Sequence, residues 1–145
     1  MPKSEIQSVE VSYFVHATED ETRLIQSVGE KLSLEVAPQR EELRGHFGNR
    51  IVHVRYHVTG DKAENLFTSI TSRIDRADSQ AILDTLHAMM DEHRALYLRL
   101  NKQQLLSGKI ALAPNDPVRV KVKPRSFMIR GDARKFYARI MGLSQ

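Results

Sequence analysis

Hydrophobic and polar residues alternate in four segments of the chain, and this period of two predicts four β-strands. The segments are residues 8–15, 52–58, 96–101 and 118–123. In each of them valine, leucine or tyrosine occupies every second position, and mostly polar residues occupy the positions between. A strand with only one apolar face is typical of an antiparallel sheet that is covered on one side.

Apolar residues at helical spacing lie between and after these strands, in residues 24–32, 63–74, 82–90 and 136–140. The polar stretch from Pro38 to Asn49 predicts a loop. Each helical segment follows a residue that can cap a helix: Thr18, Asp61, Asp78 and Asp132. The pattern therefore predicts an α+β fold in which helices pack on one face of an antiparallel sheet.

Length and composition narrow the class of protein. A chain of 145 residues suits a single domain, residues 1–145, and 41% hydrophobic with 28% charged residues is typical of a globular protein. The sequence has no cysteine, which excludes disulfides, thiolate zinc sites and cysteine nucleophiles. No apolar stretch reaches the roughly 20 residues that cross a bilayer, and the N-terminus lacks the apolar core of a signal peptide. We expect a cytoplasmic protein without a membrane partner.

Charge is distributed unevenly along the chain. The basic C-terminal third, residues 119–139, has eight Lys and Arg against one acid, a net charge of +7, whereas the other residues sum to −3. A basic segment in an otherwise acidic chain indicates a surface for a polyanion such as RNA. The alternative is a solvated face that only keeps the protein soluble.

The strongest signal within the basic segment is a row of cations on its strand. Arg119, Lys121 and Lys123 share one strand face over about 13 Å, at roughly 3.3 Å per residue. Their mutual repulsion adds nothing to folding, and a phosphate backbone would relieve it. Protection of an edge strand against aggregation is the alternative. The candidate RNA-binding residues are Arg99, Lys102, Arg119, Lys121, Lys123, Arg125, Arg130 and Arg134.

Two aromatic residues, Phe14 and Tyr97, fall on the outward faces of their predicted strands. Such rings on an open sheet can stack on unpaired bases. They are equally compatible with a sheet face that is buried in a homodimer. The RNP signature of RRM domains is absent from the sequence.

Other chemistry has little support in the sequence. His53 and His57 are four residues apart on a strand, hence roughly 13 Å from each other, too far to share one metal ion. No glycine-rich phosphate loop, serine nucleophile elbow or zinc-protease motif occurs. The Gly45-His46-Phe47-Gly48 segment matches the GxxG of KH domains, but it leads into a strand. We predict no catalytic residue, no metal and no cofactor.

Two segments resemble a known family. Residues 96–103, Leu-Tyr-Leu-Arg-Leu-Asn-Lys-Gln, look like the hallmark of an archaeal RNA-binding family that is predicted to be an exosome subunit. Residues 45–49, just before the second strand, are similar to the His-Gly-Asn segment of that family. Length and element order agree as well, so the resemblance covers nearly the whole chain. The family more often has Asp where this chain has Asn101, a residue that keeps the helix-capping role but lacks the charge.

The resemblance implies a fold like that of the large-subunit ribosomal protein that binds five-S RNA, a role near RNA degradation or ribosome-related RNA processing, and a homodimer. Together with the charge pattern it predicts a non-catalytic RNA-binding module associated with the exosome or the ribosome. In this module Arg99 and Lys102 would position the strand while the other cations neutralise phosphate. The alternative is an adaptor that docks on an RNase or ribosomal complex through its sheet face.

Overall fold

The computed structural model describes residues 4–125 and 133–143. In these ranges five strands form one antiparallel sheet, and six helices accompany it. In chain order the elements are β1 Ile6–His16, α1 Glu21–Lys31, β2 Gln39–Arg44, β3 Arg50–Thr59, α2 Gly60–Arg73, α3 Arg76–Asp84, α4 Leu86–Met89, β4 Leu96–Leu100, α5 Lys102–Leu106, β5 Val118–Pro124 and α6 Ala133–Ile140.

The long first strand, β1, lies at the centre of the sheet, whose strand order is β2-β3-β1-β5-β4. Val11 of β1 pairs with Tyr56 of β3 on one side and with Val120 of β5 on the other, and Val120 pairs in turn with Leu98 of β4. Because of this register, the apolar residues of neighbouring strands lie side by side on the same face of the sheet. All four side chains are buried, and the intervening residues point to the opposite face of the sheet.

The helices cover the apolar face of the sheet. The α2 helix buries Ala63, Leu66, Phe67 and Ile70 and packs against β1 and β3. The α6 helix packs against α3, and the hydroxyl of its buried Tyr137 donates a 2.6 Å hydrogen bond to the carbonyl of Arg94. The α+β prediction is therefore confirmed, and the architecture is consistent with a ribosomal-protein-like fold. No helix in the two described ranges is long and apolar enough to span a membrane.

The predicted loop from Pro38 to Asn49 is wrong for half of its length, because β2 occupies Gln39–Arg44. Its residues are exposed except for a half-buried Leu43, so no alternation of apolar and polar positions marks the strand. The strand forms because its backbone pairs with β3, from Gln39↔Arg55 to Arg44↔Arg50. Arg40 also donates hydrogen bonds of 2.9 and 3.0 Å to Glu21 of α1 and ties the hairpin to the helix.

The caps of the helices agree only in part with the predictions. The side chain of Asp20, not that of Thr18, caps α1 by accepting from the N–H of Arg23 at 3.2 Å. Likewise Asp75, not Asp78, caps α3. Asn101 caps α5 as expected. The predicted cap Asp132 lies outside the described residues. A carboxylate caps only from the residue just before the first helical turn, and a pattern of residue types locates that position to within a turn at best.

Candidate nucleic-acid interface

The sheet face opposite the helices, called the open face below, carries a cluster of cations at its β5 and β4 side. Arg119 and Lys123 of β5 and Arg99 of β4 are exposed, and Lys121 is half-buried. They lie on one face because each occupies an outward position of its strand, and their buried neighbours Val118, Val120 and Val122 hold the strand in place. We call Arg99, Arg119, Lys121 and Lys123 the basic patch.

The strand register defines which side chains of the basic patch are neighbours. Arg99 pairs with Arg119, and Tyr97 pairs with Lys121. The Lys121 ammonium lies 5.6 Å from the centroid of the Tyr97 ring, within range of a cation–π interaction. The two arginines lie opposite each other on adjacent strands, and neighbouring strands are about 4.8 Å apart. Like charges in this position destabilise a sheet.

Carboxylates do not compensate these charges. Among the residues that the structure describes, no Asp or Glu oxygen lies within 4.0 Å of a nitrogen of the basic patch. Glu10 is next to Lys121 in the register, but its carboxylate is 3.5 Å from the Nε atom of Arg55. Among the described residues the basic patch therefore presents positive charge to solvent without a carboxylate ion-pair partner, which is the electrostatic property of a phosphate-binding surface.

Lys102, which we predicted to position RNA, lies elsewhere. Its side chain is only 2% exposed. Its ammonium donates to the carbonyl of Phe14 at 2.7 Å, to Glu19 at 3.1 Å and to Asp116 at 2.9 Å. The prediction does not agree with this placement, because the ammonium has neither the exposure nor a free direction to reach phosphate. The side chain instead links β1 to the turn before α1 and to the turn before β5.

Three residues around the Lys102 ammonium form the group that most resembles a metal site among the described residues. Ligand atoms of His16, Glu19 and Asp116 lie within 4.8 Å of one another. The Lys102 ammonium already lies between the two carboxylates and supplies the positive charge. Partial burial alone would raise the pKa of Asp116, but its hydrogen bonds from Lys102 and His16 outweigh that effect and hold the pKa below the usual value.

The remaining predicted cations do not extend the basic patch. The side chain of Arg125 donates to the carbonyl of Ser4. Arg134 of α6 belongs to the helix layer, where it donates to the Leu83 carbonyl at 2.8 Å and to Asp84 at 3.0 Å. Arg130 lies outside the described residues. The described part of the basic C-terminal third thus divides between the open face, which carries Arg119, Lys121 and Lys123, and the helix layer, which carries Arg134.

The two predicted rings do lie on the open face, in different halves of it. Phe14 is 36% exposed and stacks on His53 of β3 with 4.7 Å between ring centroids. Tyr97 is half-buried at the β4 edge, and its hydroxyl donates to Asp91 at 3.0 Å. We therefore expect Tyr97, beside the basic patch, to be better placed than Phe14 for contact with a base.

Sequence reasoning missed a third ring, Phe47, which is 92% exposed at the tip of the β2–β3 hairpin. The turn closes through a 2.7 Å bond from the N–H of Gly45 to the Asn49 carbonyl, and Gly48 adopts a φ of 79°, which favours glycine. The turn joins two strands, unlike the helix–helix loop of a KH domain. An apolar residue between two glycines in a polar stretch was the available signal.

The sequence is similar to those of known proteins. A family model described as RNA binding matches residues 8–124. An RNA-binding protein of Pyrococcus abyssi is 22% identical over 138 residues, which cover 90% of this chain and 90% of that protein. An uncharacterized protein of Methanocaldococcus jannaschii is 27% identical over 124 residues, or 78% of this chain and 80% of that protein.

Solved structures show the same fold. A crystal structure of a DUF54-family protein from Archaeoglobus fulgidus has a TM-score of 0.76 at 22% identity, and the match covers 93% of this chain and 99% of that one. A DUF54-family protein from Sulfolobus solfataricus gives a TM-score of 0.75 at 23% identity over 93% and 97% of the two chains. At this level of identity the likeness extends to the fold alone.

Proposed function

Because the chain belongs to the RNA-binding family whose model spans residues 8–124, we propose that it is a non-catalytic RNA-binding module whose basic patch contacts the phosphate backbone. The observation that carries this proposal is the basic patch itself: four cations on one sheet face, two of them adjacent arginines, without a carboxylate partner among the described residues. The arrangement costs folding free energy, and binding to a polyanion regains it. We propose that this role belongs to a single domain, residues 1–145.

The salt dependence of RNA affinity tests the proposal. If four cations contact a single strand, log affinity should fall against log salt with a slope of about −2.8, at roughly 0.7 per phosphate contact. Replacing Lys121 and Lys123 by Gln should reduce the slope to about −1.4 and weaken binding to all RNA sequences alike.

A matched control replaces two lysines outside the basic patch, Lys62 of α2 and Lys109 after α5, with Gln. Both are exposed, and the removal of two positive charges equals that in the test variant. Long-range charge alone would weaken binding equally in both double variants, which would contradict a local site on the sheet. Thermal melting should show both variants folded, because none of these four lysines is buried.

A narrower part of the proposal concerns the partner assembly. We propose that the module acts in the cytoplasm as an accessory to RNA processing or degradation, at the exosome or at ribosome-related RNA. Residues 96–103, which carry the family resemblance, form β4 and the start of α5. Gel filtration of the protein with a purified archaeal exosome, with and without RNase treatment, tests this part. Co-elution that persists after RNase treatment is the expected result for direct association.

The second candidate function is a protein–protein adaptor or a homodimer that uses the other half of the open face. The observation that favours it is the exposure of Phe14 at 36% and of Phe47 at 92%. Exposed rings of this size are enriched at protein interfaces. Replacing both by Ala should then leave RNA affinity intact and abolish partner binding or dimer formation. An absence of RNA binding by the wild-type protein at low salt would make this candidate the preferred one.

A further inference from the structure

The free edge of β4 borders a groove next to the basic patch. β4 is the last strand of the sheet, and isolated bridges attach Met90 to Leu96 at one end of it and Leu112 to Leu100 at the other. Between these two attachments a groove of about 530 Å³ remains open to solvent. Pockets that bind small organic ligands typically have volumes of about 300–1,000 Å³, so this groove is large enough for one nucleoside.

Both apolar and cationic side chains line the groove. Met89, Met90 and Leu112 contribute aliphatic surface, and the Tyr97 ring lies among the lining residues together with Arg99 and Arg119. A nucleobase has two apolar π-faces and a polar edge, and it stacks on aromatic side chains or guanidinium planes while its edge hydrogen-bonds to polar groups. Phosphates on either side of such a base would lie near the cations of the basic patch.

The hydrogen-bonding groups of the groove define which base edge fits. Asp91 is the acid in its lining, and its carboxylate already accepts from the N–H groups of His93 and Ala95 at 2.9 Å each and from the Tyr97 hydroxyl at 3.0 Å. Partial burial would raise the pKa of Asp91, but these hydrogen bonds outweigh it and hold the pKa below the usual value. The guanidinium groups of Arg99 and Arg119 remain as donors.

We propose that this groove, called the base groove here, binds one unpaired guanine of an RNA strand through Arg99 or Arg119, while the phosphates of that strand contact the other cations of the basic patch. Guanine presents two adjacent acceptors, O6 and N7, which match the fork of a guanidinium, whereas adenine presents a donor beside N7. This inference rests on the proposed RNA-binding function. It adds a base preference that the charge of the basic patch cannot supply, because phosphate contacts carry no sequence information.

The test uses three nine-residue RNA backbones that are abasic except at the central position, which carries guanosine, adenosine or no base. We expect the guanosine oligomer to bind about tenfold more tightly than the bare backbone, the gain that one stacked base typically gives. Adenosine should bind more weakly than guanosine. Equal affinity for the guanosine and bare oligomers would overturn the base groove, and equal affinity for guanosine and adenosine would overturn the guanine assignment.

Variants that fill the groove test whether the tighter binding of the guanosine oligomer depends on the groove. Ala113→Phe adds a ring to the lining without changing charge, and Ala88→Phe does the same from an exposed position of α4. Both should abolish the gain from guanosine and leave the affinity for the bare backbone and its salt slope unchanged. The matched control Ala37→Phe lies before β2, at the other edge of the sheet, and should change neither.

Two outcomes separate this inference from the proposed function. If the wild-type protein binds the bare backbone with the expected salt slope, but a folded Ala88→Phe variant retains the full gain from guanosine, the base groove is wrong and the basic patch stands. If the bare and base-carrying oligomers both fail to bind at low salt, the proposed RNA-binding function itself fails. Circular dichroism of each variant shows whether Ala113→Phe is folded, and Ala88→Phe replaces it in the test if it is not.

Discussion

Replacing Lys102 by Met should destabilise the fold and leave the RNA affinity of the folded protein unchanged. The side chain is 2% exposed, and its ammonium donates at 2.7, 3.1 and 2.9 Å to a backbone carbonyl and to two carboxylates. Methionine has a similar length but no donor. The substitution therefore leaves the Phe14 carbonyl without this donor and leaves Glu19 and Asp116 next to each other without the cation between them.

The size of the expected stability loss depends on how exposed Glu19 and Asp116, the partners of Lys102, are to water. Removing one partner of a fully buried ion pair costs about 3–5 kcal/mol, and a hydrogen bond to a charged group is worth about 1.5–3 kcal/mol. The side chains of Glu19 and Asp116 are 21% and 43% exposed, so water can partly replace the ammonium. We therefore expect a loss of about 2–4 kcal/mol in the free energy of unfolding, less than the sum of three separate bonds. At about 2–4 °C per kcal/mol for a chain near this size, Tm should fall by roughly 4–16 °C.

Urea denaturation followed by circular dichroism measures the loss, and fluorescence anisotropy with labelled RNA measures affinity below the melting range. Lys109→Met is the matched control, because the same substitution at an exposed lysine should change stability by less than about 0.5 kcal/mol. An unchanged Tm together with weaker RNA binding in Lys102→Met would refute the structural role and restore the original prediction that this lysine contacts RNA.

Three further predictions each test one contact that stabilises the fold. The pKa of Asp116 is lowered in the folded state. Its stabilising effect is therefore complete above the unfolded pKa of about 3.9 and is lost as pH falls through the folded value. Between pH 6 and pH 3 the urea midpoint should decline less steeply for Asp116→Asn than for the wild-type protein. Asn101→Ala removes the cap whose Oδ1 accepts from the N–H of Gln104 at 3.0 Å and should cost about 1 kcal/mol in urea denaturation; an unchanged midpoint would show that the cap contributes nothing. Tyr137→Phe removes a 2.6 Å bond to the Arg94 carbonyl and should lower the free energy of unfolding by about 1–2 kcal/mol, whereas a more stable variant would contradict the assigned bond.

The predictions for the sheet show which interactions are local. Four of the five strands were predicted from their alternation of apolar and polar residues. This alternation arises because one face of each strand is buried, and it can be read without knowing which elements cover that face. The β2 strand was not predicted, because its residues are exposed and only the ladder to β3 makes it extended. The caps are local, but a pattern of residue types locates them only to within a turn: Asn101 is the cap of α5 as predicted, whereas Asp20 and not Thr18 caps α1.

The alternation along each strand is enough to predict the fold class, the outward row of Arg119, Lys121 and Lys123, and the outward positions of Phe14, Tyr97 and Arg99. Each of these follows from the period of a single strand, which is a local property of the chain. Only the tertiary structure decided that Arg99 lies beside Arg119 and that Arg134 belongs to the helix layer. The burial of Lys102 also depends on it, since its partners Phe14, Glu19 and Asp116 are 88, 83 and 14 residues away in the chain. A lysine is exposed by default because desolvation of its charge is costly, and only the folded chain brings together the carboxylates that compensate this cost.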